Sequence, residues 1–227
     1  MVSLFNKPSK EEGGMVAPPG GERKKSKGAV RVKELQERDR RRMRKHFLAL
    51  DNSDRLLRFG TTLPDELLEA YVARIDFERD KVYGVYNRVF KLVAVGHLAF
   101  APKEKSPGKV VTTKEQVAEF GVSVSKSARG LGIGSKLFER AAIHCRNQDV
   151  DTLYMHCLSS NQVMMRIARK AGMEIQREYG EADAYLRLLP ANPASMLQEA
   201  LEEQFATIHY TWKANARAAA KWFSPKK

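Results

Sequence analysis

A run of mostly apolar residues, Glu119-Phe-Gly-Val-Ser-Val124, leads into Arg129-Gly130-Leu131-Gly132-Ile133-Gly134-Ser135-Lys136, where every second residue from 130 to 134 lacks a Cβ. So bare a backbone can approach a ligand closely and converge its N–H groups on it. The helix expected next leaves its first N–H groups without intrahelical partners and points the positive end of its dipole the same way. Arg129 adds a cation with several donors suited to phosphate oxygens. The chemistry implied is capture of a phosphate, and amides and cation together suit a diphosphate.

Two common phosphate loops do not fit. A P-loop requires Gly-x-x-x-x-Gly-Lys-Ser/Thr, but Ser135 stands five residues after Gly130 and the Ser135-Lys136 pair runs in the wrong order. A dinucleotide fingerprint requires Gly-x-Gly-x-x-Gly and an acid ending the next strand. Here the third glycine comes one residue early, and Asp149 and Asp151 precede the next apolar run.

The surrounding elements decide what such a loop serves. Upstream, Val30 to Leu35 alternates apolar and polar residues, and the run Arg38 to Lys45 falls on a first core helix that turns Met43, Phe47 and Leu50 inward with Arg40, Arg41, Arg42, Arg44 and Lys45 mostly outward. Pro64 to Ile75 has helical spacing, and Lys81 to Tyr86 with Lys91 to Phe100 reads as two strands about a short turn at Asn87-Arg88. Downstream, the spacing predicts a helix near 132–147, an apolar strand Leu153–Leu158, a helix over about 161–171 ending at Gly172, and two short strands split by Gly180.

Arg129-x-x-Gly132-x-Gly134 at the end of a strand resembles the acetyl-coenzyme A signature of the GNAT superfamily of N-acetyltransferases. The order β-α-α-β-β-β-α-β-α-β-β over roughly residues 29–189 resembles its whole core. The resemblance implies an α/β fold with a mixed, mostly antiparallel sheet and splayed central strands, and acetyl-CoA as cosubstrate. It places the pyrophosphate on Arg129, Gly130, Gly132, Ile133, Gly134 and Ser135. It also pairs the pantetheine arm with Val122, Ser123 and Val124, in a slot where this strand splays from Leu153–Leu158, with the Val124 N–H polarising the thioester carbonyl.

Asn161 opens Asn-x-x-Met-x-x-x-Ala168-x-x-x-Gly172-Met173, which resembles the second GNAT motif, whose asparagine contacts the coenzyme. A tyrosine commonly stands at the position of Ala168 as the acid for the departing thiolate. Here water or another hydroxyl must serve, with Tyr154, Tyr179 and Tyr185 as candidates; Ser159 and Ser160 are expected to cap the helix. Glu119, opening the strand before the loop, is the candidate general base, beside the ordinary alternative of a solvated or ion-paired carboxylate. Glu174, Glu178, Glu181 and Asp183 are other candidates.

By the same resemblance the acceptor is a primary amine, its pocket formed by residues 51–76 and 174–189. Among a small amine, a peptide N-terminus and a lysine side chain the sequence does not choose. A second reading is a catalytically weak module that binds acetyl-CoA in a regulatory role.

At 227 residues and 43% hydrophobic the chain can bury one full core. No apolar run approaches the roughly 20 residues that span a bilayer. Two cysteines and five histidines show no disulfide or metal-ligand spacing, so a reduced, cytoplasmic, metal-free protein is expected. Of the formal charge of +13, residues 1–46 hold 14 lysines and arginines against 6 acids. Residues 1–28, rich in Gly, Pro and Lys, read as a disordered basic tail. A basic interaction protein is thus a third reading, but no nucleic-acid recognition motif accompanies the charge and no specific nucleic-acid partner is expected. Beyond the domain over 29–189, the segment 190–227 carries Leu197, Leu201, Phe205, Ile208 and Trp212 at helical spacing. Its own domain or a second copy in a homodimer would cover that stripe; a membrane surface suits it less, since both signs of charge flank it.

Overall fold

The computed structural model describes residues 30–100 and 116–204. The basic tail and Phe205, Ile208 and Trp212 of the C-terminal stripe lie outside them. The described chain runs β1 (Lys33–Leu35), α1 (Arg40–Leu48), α2 (Asn52–Phe59), α3 (Asp65–Arg74), β2 (Lys81–Tyr86), β3 (Leu92–Phe100), β4 (Val117–Val124), α4 (Ile133–Asn147), β5 (Thr152–Leu158), α5 (Gln162–Lys170), β6 (Glu174–Glu178) and β7 (Glu181–Arg187). A further helix, α6, follows over 193–204. The strands form a seven-stranded sheet in the order β1-β2-β3-β4-β5-β7-β6, antiparallel except for the central β4–β5 pair.

The expected order holds with one addition. Three helices, not two, separate β1 from β2, because α2 has its own start and stop signals. The Asp51 carboxylate accepts from the Asp54 N–H, and Gly60 closes the helix in the left-handed conformation at φ 73°.

Each face of the sheet carries one apolar layer. On one side Met43, Phe47 and Leu50 meet Val72, Ile75, Val82, Leu92 and Val95. On the other, Leu137, Phe138 and Ala141 of α4 pack on Leu98, Ala118 and Phe120, and Met164, Met165 and Ala168 of α5 close the layer. Arg40 does not face outward as the charge run implied. Its guanidinium donates to the carbonyls of Val72, Ala73 and Ile75, supplying partners to the C-terminal end of α3. The described turns of α6 dock by their polar side, with Glu199 bonded to His144 at 2.7 Å and to Asn147 at 2.5 Å, while Leu197 and Leu201 stay exposed.

Candidate active site

Gly130 and Gly132 both adopt φ 76°, a conformation that side chains with a Cβ resist, and Gly132 stands as the N-cap of α4 with no side chain capping the helix. Ile133 turns into the core, and Gly134 lets α5 come close, since a Cβ there would lie 3.2 Å from Ile167. Ser135 lies in the first turn of α4. The result is a helix start whose N–H groups face an open, side-chain-free approach.

Just upstream, β4 pairs with β5 only through Val117–Thr152, Ala118–Leu153 and Glu119–Tyr154. β4 continues to pair with β3 as far as Val124, so beyond Glu119 the two central strands part and leave a fork. The Ser125 N–H donates to the Val93 carbonyl. By the alternation of an antiparallel pair, the backbone groups of Ser123 and Gly121 therefore also point at β3, and those of Val122 and Val124 point into the fork. The Ser123 hydroxyl is taken by His46 of α1, whose Nε2 lies 2.8 Å away. Burial pushes the His46 pKa down to about 4, so the ring stays neutral behind the strand.

Helix α2 spans the fork and is tied on both sides. Arg129 pairs with Asp54 and donates from Nε to the Val124 carbonyl at 3.2 Å, while Lys126 pairs with Asp51. At its far end Asn161 donates to the Leu57 carbonyl at 3.2 Å and accepts from the Met164 N–H, so Asn161, rather than Ser159 or Ser160, caps α5.

Beneath α2 lies a cavity of about 320 Å³ lined by Arg58, Tyr71, His97, Glu119, Val122 and His156, among others. Arg58 Nη2 and Tyr71 OH are 3.0 Å apart, Tyr71 OH and His97 Nδ1 2.9 Å, and His97 Nε2 and Asp80 Oδ2 3.0 Å. Burial raises the Asp80 pKa, but the hydrogen bonds from Arg79 and His97 outweigh it and hold the carboxyl below its ordinary value; burial also lowers that of His97. Ionised Asp80 only accepts, so neutral His97 carries its proton on Nε2 and accepts the Tyr71 O–H at Nδ1. That leaves the Tyr71 oxygen to accept from Arg58. Burial raises the Tyr71 pKa, keeping it a donor.

Residues 31–173 match the model of the Acetyltransferase (GNAT) family. The chain belongs to this family. The fold is shared with many solved structures. The GNAT domain of S. lividans PAT aligns at a TM-score of 0.57 and 19% identity, over 71% of this chain and 92% of that one. Spermidine N-acetyltransferase from Vibrio cholerae, solved with CoA and spermine, aligns at 0.52 and 16%, over 70% and 95%. The yncA protein of Salmonella typhimurium, solved with acetyl-CoA, aligns at 0.52 and 14%, over 73% and 97%. This chain is therefore an acyltransferase of the GNAT type, a family that uses acetyl-CoA.

The residues of this acetyltransferase fit that coenzyme. Two left-handed glycines and an uncapped helix start suit its diphosphate, and the inward-facing amides of Val122 and Val124 suit a peptide-like arm. The structure brings Glu119 to the apex of the fork and into the cavity wall. It does not bring in the tyrosines named from sequence. Tyr154 donates to Asp183 at 2.5 Å, Tyr185 packs against Tyr154, and Tyr179 is 96% exposed. Ala168 is buried in the core. The tyrosine that lines the cavity is Tyr71, and sequence reasoning missed it together with His97 and Asp80. Tyr71 and His97 lie 26 positions apart, so no local spacing could join them. No helix among the described residues is long and apolar enough to cross a membrane, and no His/Cys/Asp/Glu group among them could hold a metal ion.

Proposed function

We propose that the protein transfers the acetyl group of acetyl-CoA to a primary amine that enters the cavity beneath α2. The observation that supports it is the arrest of β4–β5 pairing at Glu119, on the strand that leads into the glycine start of α4. Bound acetyl-CoA would supply the thioester that the amine attacks. Gly130, Gly132 and the first amides of α4, with Ile133, Gly134 and Ser135, hold the diphosphate. Arg129 acts by fixing α2 to the loop and so sets the roof of the site. The N–H groups of Val122 and Val124 align the arm, and that of Val124 polarises the acyl carbonyl. Glu119 accepts the ammonium proton, directly or through water, because only a neutral amine is nucleophilic. Asn161 acts at the coenzyme side by holding α2 against α5.

Release of free thiol from acetyl-CoA across an amine panel, with the acetylated product identified by mass, tests this. If millimolar acetyl-CoA neither binds by calorimetry nor is consumed with any amine, the proposal is wrong. A second reading is favoured by Ala168, which leaves the usual position of the thiolate acid apolar and buried: a module that binds the coenzyme but turns it over slowly. Tight binding without thiol release would select it.

A further inference from the structure

Arg58 is the cation of the cavity, and its surroundings are unlike those of its neighbours. Arg55 serves Asp65 and the carbonyls of Leu48, Leu50 and Leu63, Arg79 pairs with Asp80, and Arg129 pairs with Asp54. Among the described residues no carboxylate lies within ion-pair distance of Arg58. Among the described residues its one hydrogen bond goes to the Tyr71 hydroxyl, and its buried Nε has no partner. Arg58 is half-buried: its Nε donor is lost to water without compensation, which is costly, while its terminal nitrogens stand at the cavity wall, where a counter-charge can reach them.

The group is nevertheless held in place. It lies over the rings of Phe59 at 4.9 Å and Tyr71 at 5.8 Å. It also lies flat on β4 at Gly121, where a Cβ would stand 2.4–2.6 Å from its carbon and terminal nitrogens. Gly121 is two residues past Glu119, inside the fork. The chain Asp80–His97–Tyr71 fixes which atom Tyr71 offers to Arg58, so the remaining donors are left for something else. Glu119 is the carboxylate of the cavity lining, and Arg58 shares that lining with it.

We propose that Arg58 receives the carboxylate of the acceptor, and that the acceptor is an amino acid or close analogue with its primary amine and carboxylate a few bonds apart. This rests on the acetyl-transfer reading above. A zwitterion complements the cavity: its ammonium meets Glu119, which takes the proton, and its carboxylate meets the planar fork of Arg58. A polyamine would set several positive charges against one carboxylate and an unneutralised arginine. The cavity also has the size of a small-molecule site, for which the usual range begins near 300 Å³.

The test is kcat/KM for matched pairs, each free L-amino acid against its own C-terminal amide, with spermidine and a neutral-tailed peptide in the panel, for wild type, Arg58→Lys and Arg58→Gln. The wild type should prefer the best free acid to its amide by about 10- to 100-fold, the range for losing one charge-assisted pair. An amide's amine is less basic and more of it is neutral, so the comparison is biased against this result. Arg58→Gln should bring the ratio close to one and Arg58→Lys should keep part of it. A ratio of one in the wild type, a polyamine or peptide as best acceptor, or equal losses for acid and amide in Arg58→Gln would overturn the assignment while leaving acetyl transfer intact. Absence of thiol release with every amine would remove both. Should Arg58→Gln fail to fold, the wild-type ratio and Arg58→Lys still decide.

Discussion

The two walls of the fork are made differently. The wall proposed for the coenzyme is backbone: two left-handed glycines, an uncapped helix start and the amides of Val122 and Val124. The wall proposed for the acceptor is side chain: Arg58, Tyr71, His97 and Asp80, drawn from α2, α3, the turn before β2 and β3, and locked by hydrogen bonds between them. A backbone cradle reads only the shape and charge common to every coenzyme molecule. A side-chain wall can be altered one residue at a time without touching the cradle, so it is where acceptor choice can change while the fold and the cosubstrate stay the same.

The sharpest way to separate the walls is at their shared apex. Glu119→Gln keeps the size and backbone pairing of the residue but cannot take a proton. We expect kcat to fall by about 100-fold or more, the ordinary scale for a lost general base, with coenzyme affinity by calorimetry little changed. The fall should be smaller at high pH, where solvent deprotonates the amine. An unchanged kcat at neutral pH would move the base elsewhere.

Gly132→Asp strikes the coenzyme wall alone. It forces a side chain into a φ of 76° and sets a carboxylate where the diphosphate must lie. Loss of affinity by about 100-fold, roughly 3 kcal/mol, is expected in titrations with CoA. Retained affinity would mean that the anion sits away from this helix start.

That contrast also sets how much could be read beforehand. Gly130, Gly132 and Gly134 announce their site because a backbone cradle is local: the residues that build it are neighbours in the chain. The same holds for the β4 pattern before them and for the fork, whose position came with the family resemblance. The acceptor wall is non-local, and its residues take meaning only from their partners. Arg129 looks from sequence like a cation free for phosphate, yet its partner Asp54 lies 75 positions away. Helix α2 is the element the sequence conceals best. Its eight residues are too short for a periodic signal, although Asp51 and Gly60 mark its ends. Without α2, Arg58 reads as one more charge in a basic chain.

Behind β4 stands His46, whose neutral ring supports the strand through Ser123 from the α1 side. With a folded pKa of about 4 against 6.5 when unfolded, it favours folding fully only above pH 6.5. As pH falls below that value the unfolded chain takes up a proton that the folded chain refuses, and stability is lost until about pH 4, where both forms are protonated. The whole loss is about 3 kcal/mol, of which roughly 2 should be gone by pH 5. Denaturant midpoints from pH 8 to 4.5 should show this slope, and His46→Gln should flatten it. An equally steep slope in that variant would assign the acid sensitivity to other groups.

The smallest effect expected is the most selective. Gly121→Ala adds one carbon at 2.4 Å from the centre of the Arg58 guanidinium, and the atoms it meets are the far end of a flexible side chain. The guanidinium must move off the strand, but the backbone at Gly121 needs no left-handed conformation and the sheet can stay paired. Stability should change by about 1 kcal/mol or less, because a displaced side-chain end relieves the overlap. Coenzyme affinity should hold, since no part of the glycine cradle is touched. What should suffer is the acceptor: kcat/KM for the preferred amine is expected to fall about tenfold, mostly through KM, because misplacing a positioning group costs binding before chemistry. A tenfold loss of CoA affinity instead, with acceptor KM intact, would show that Gly121 belongs to the coenzyme wall and that the two walls are not separable at this strand.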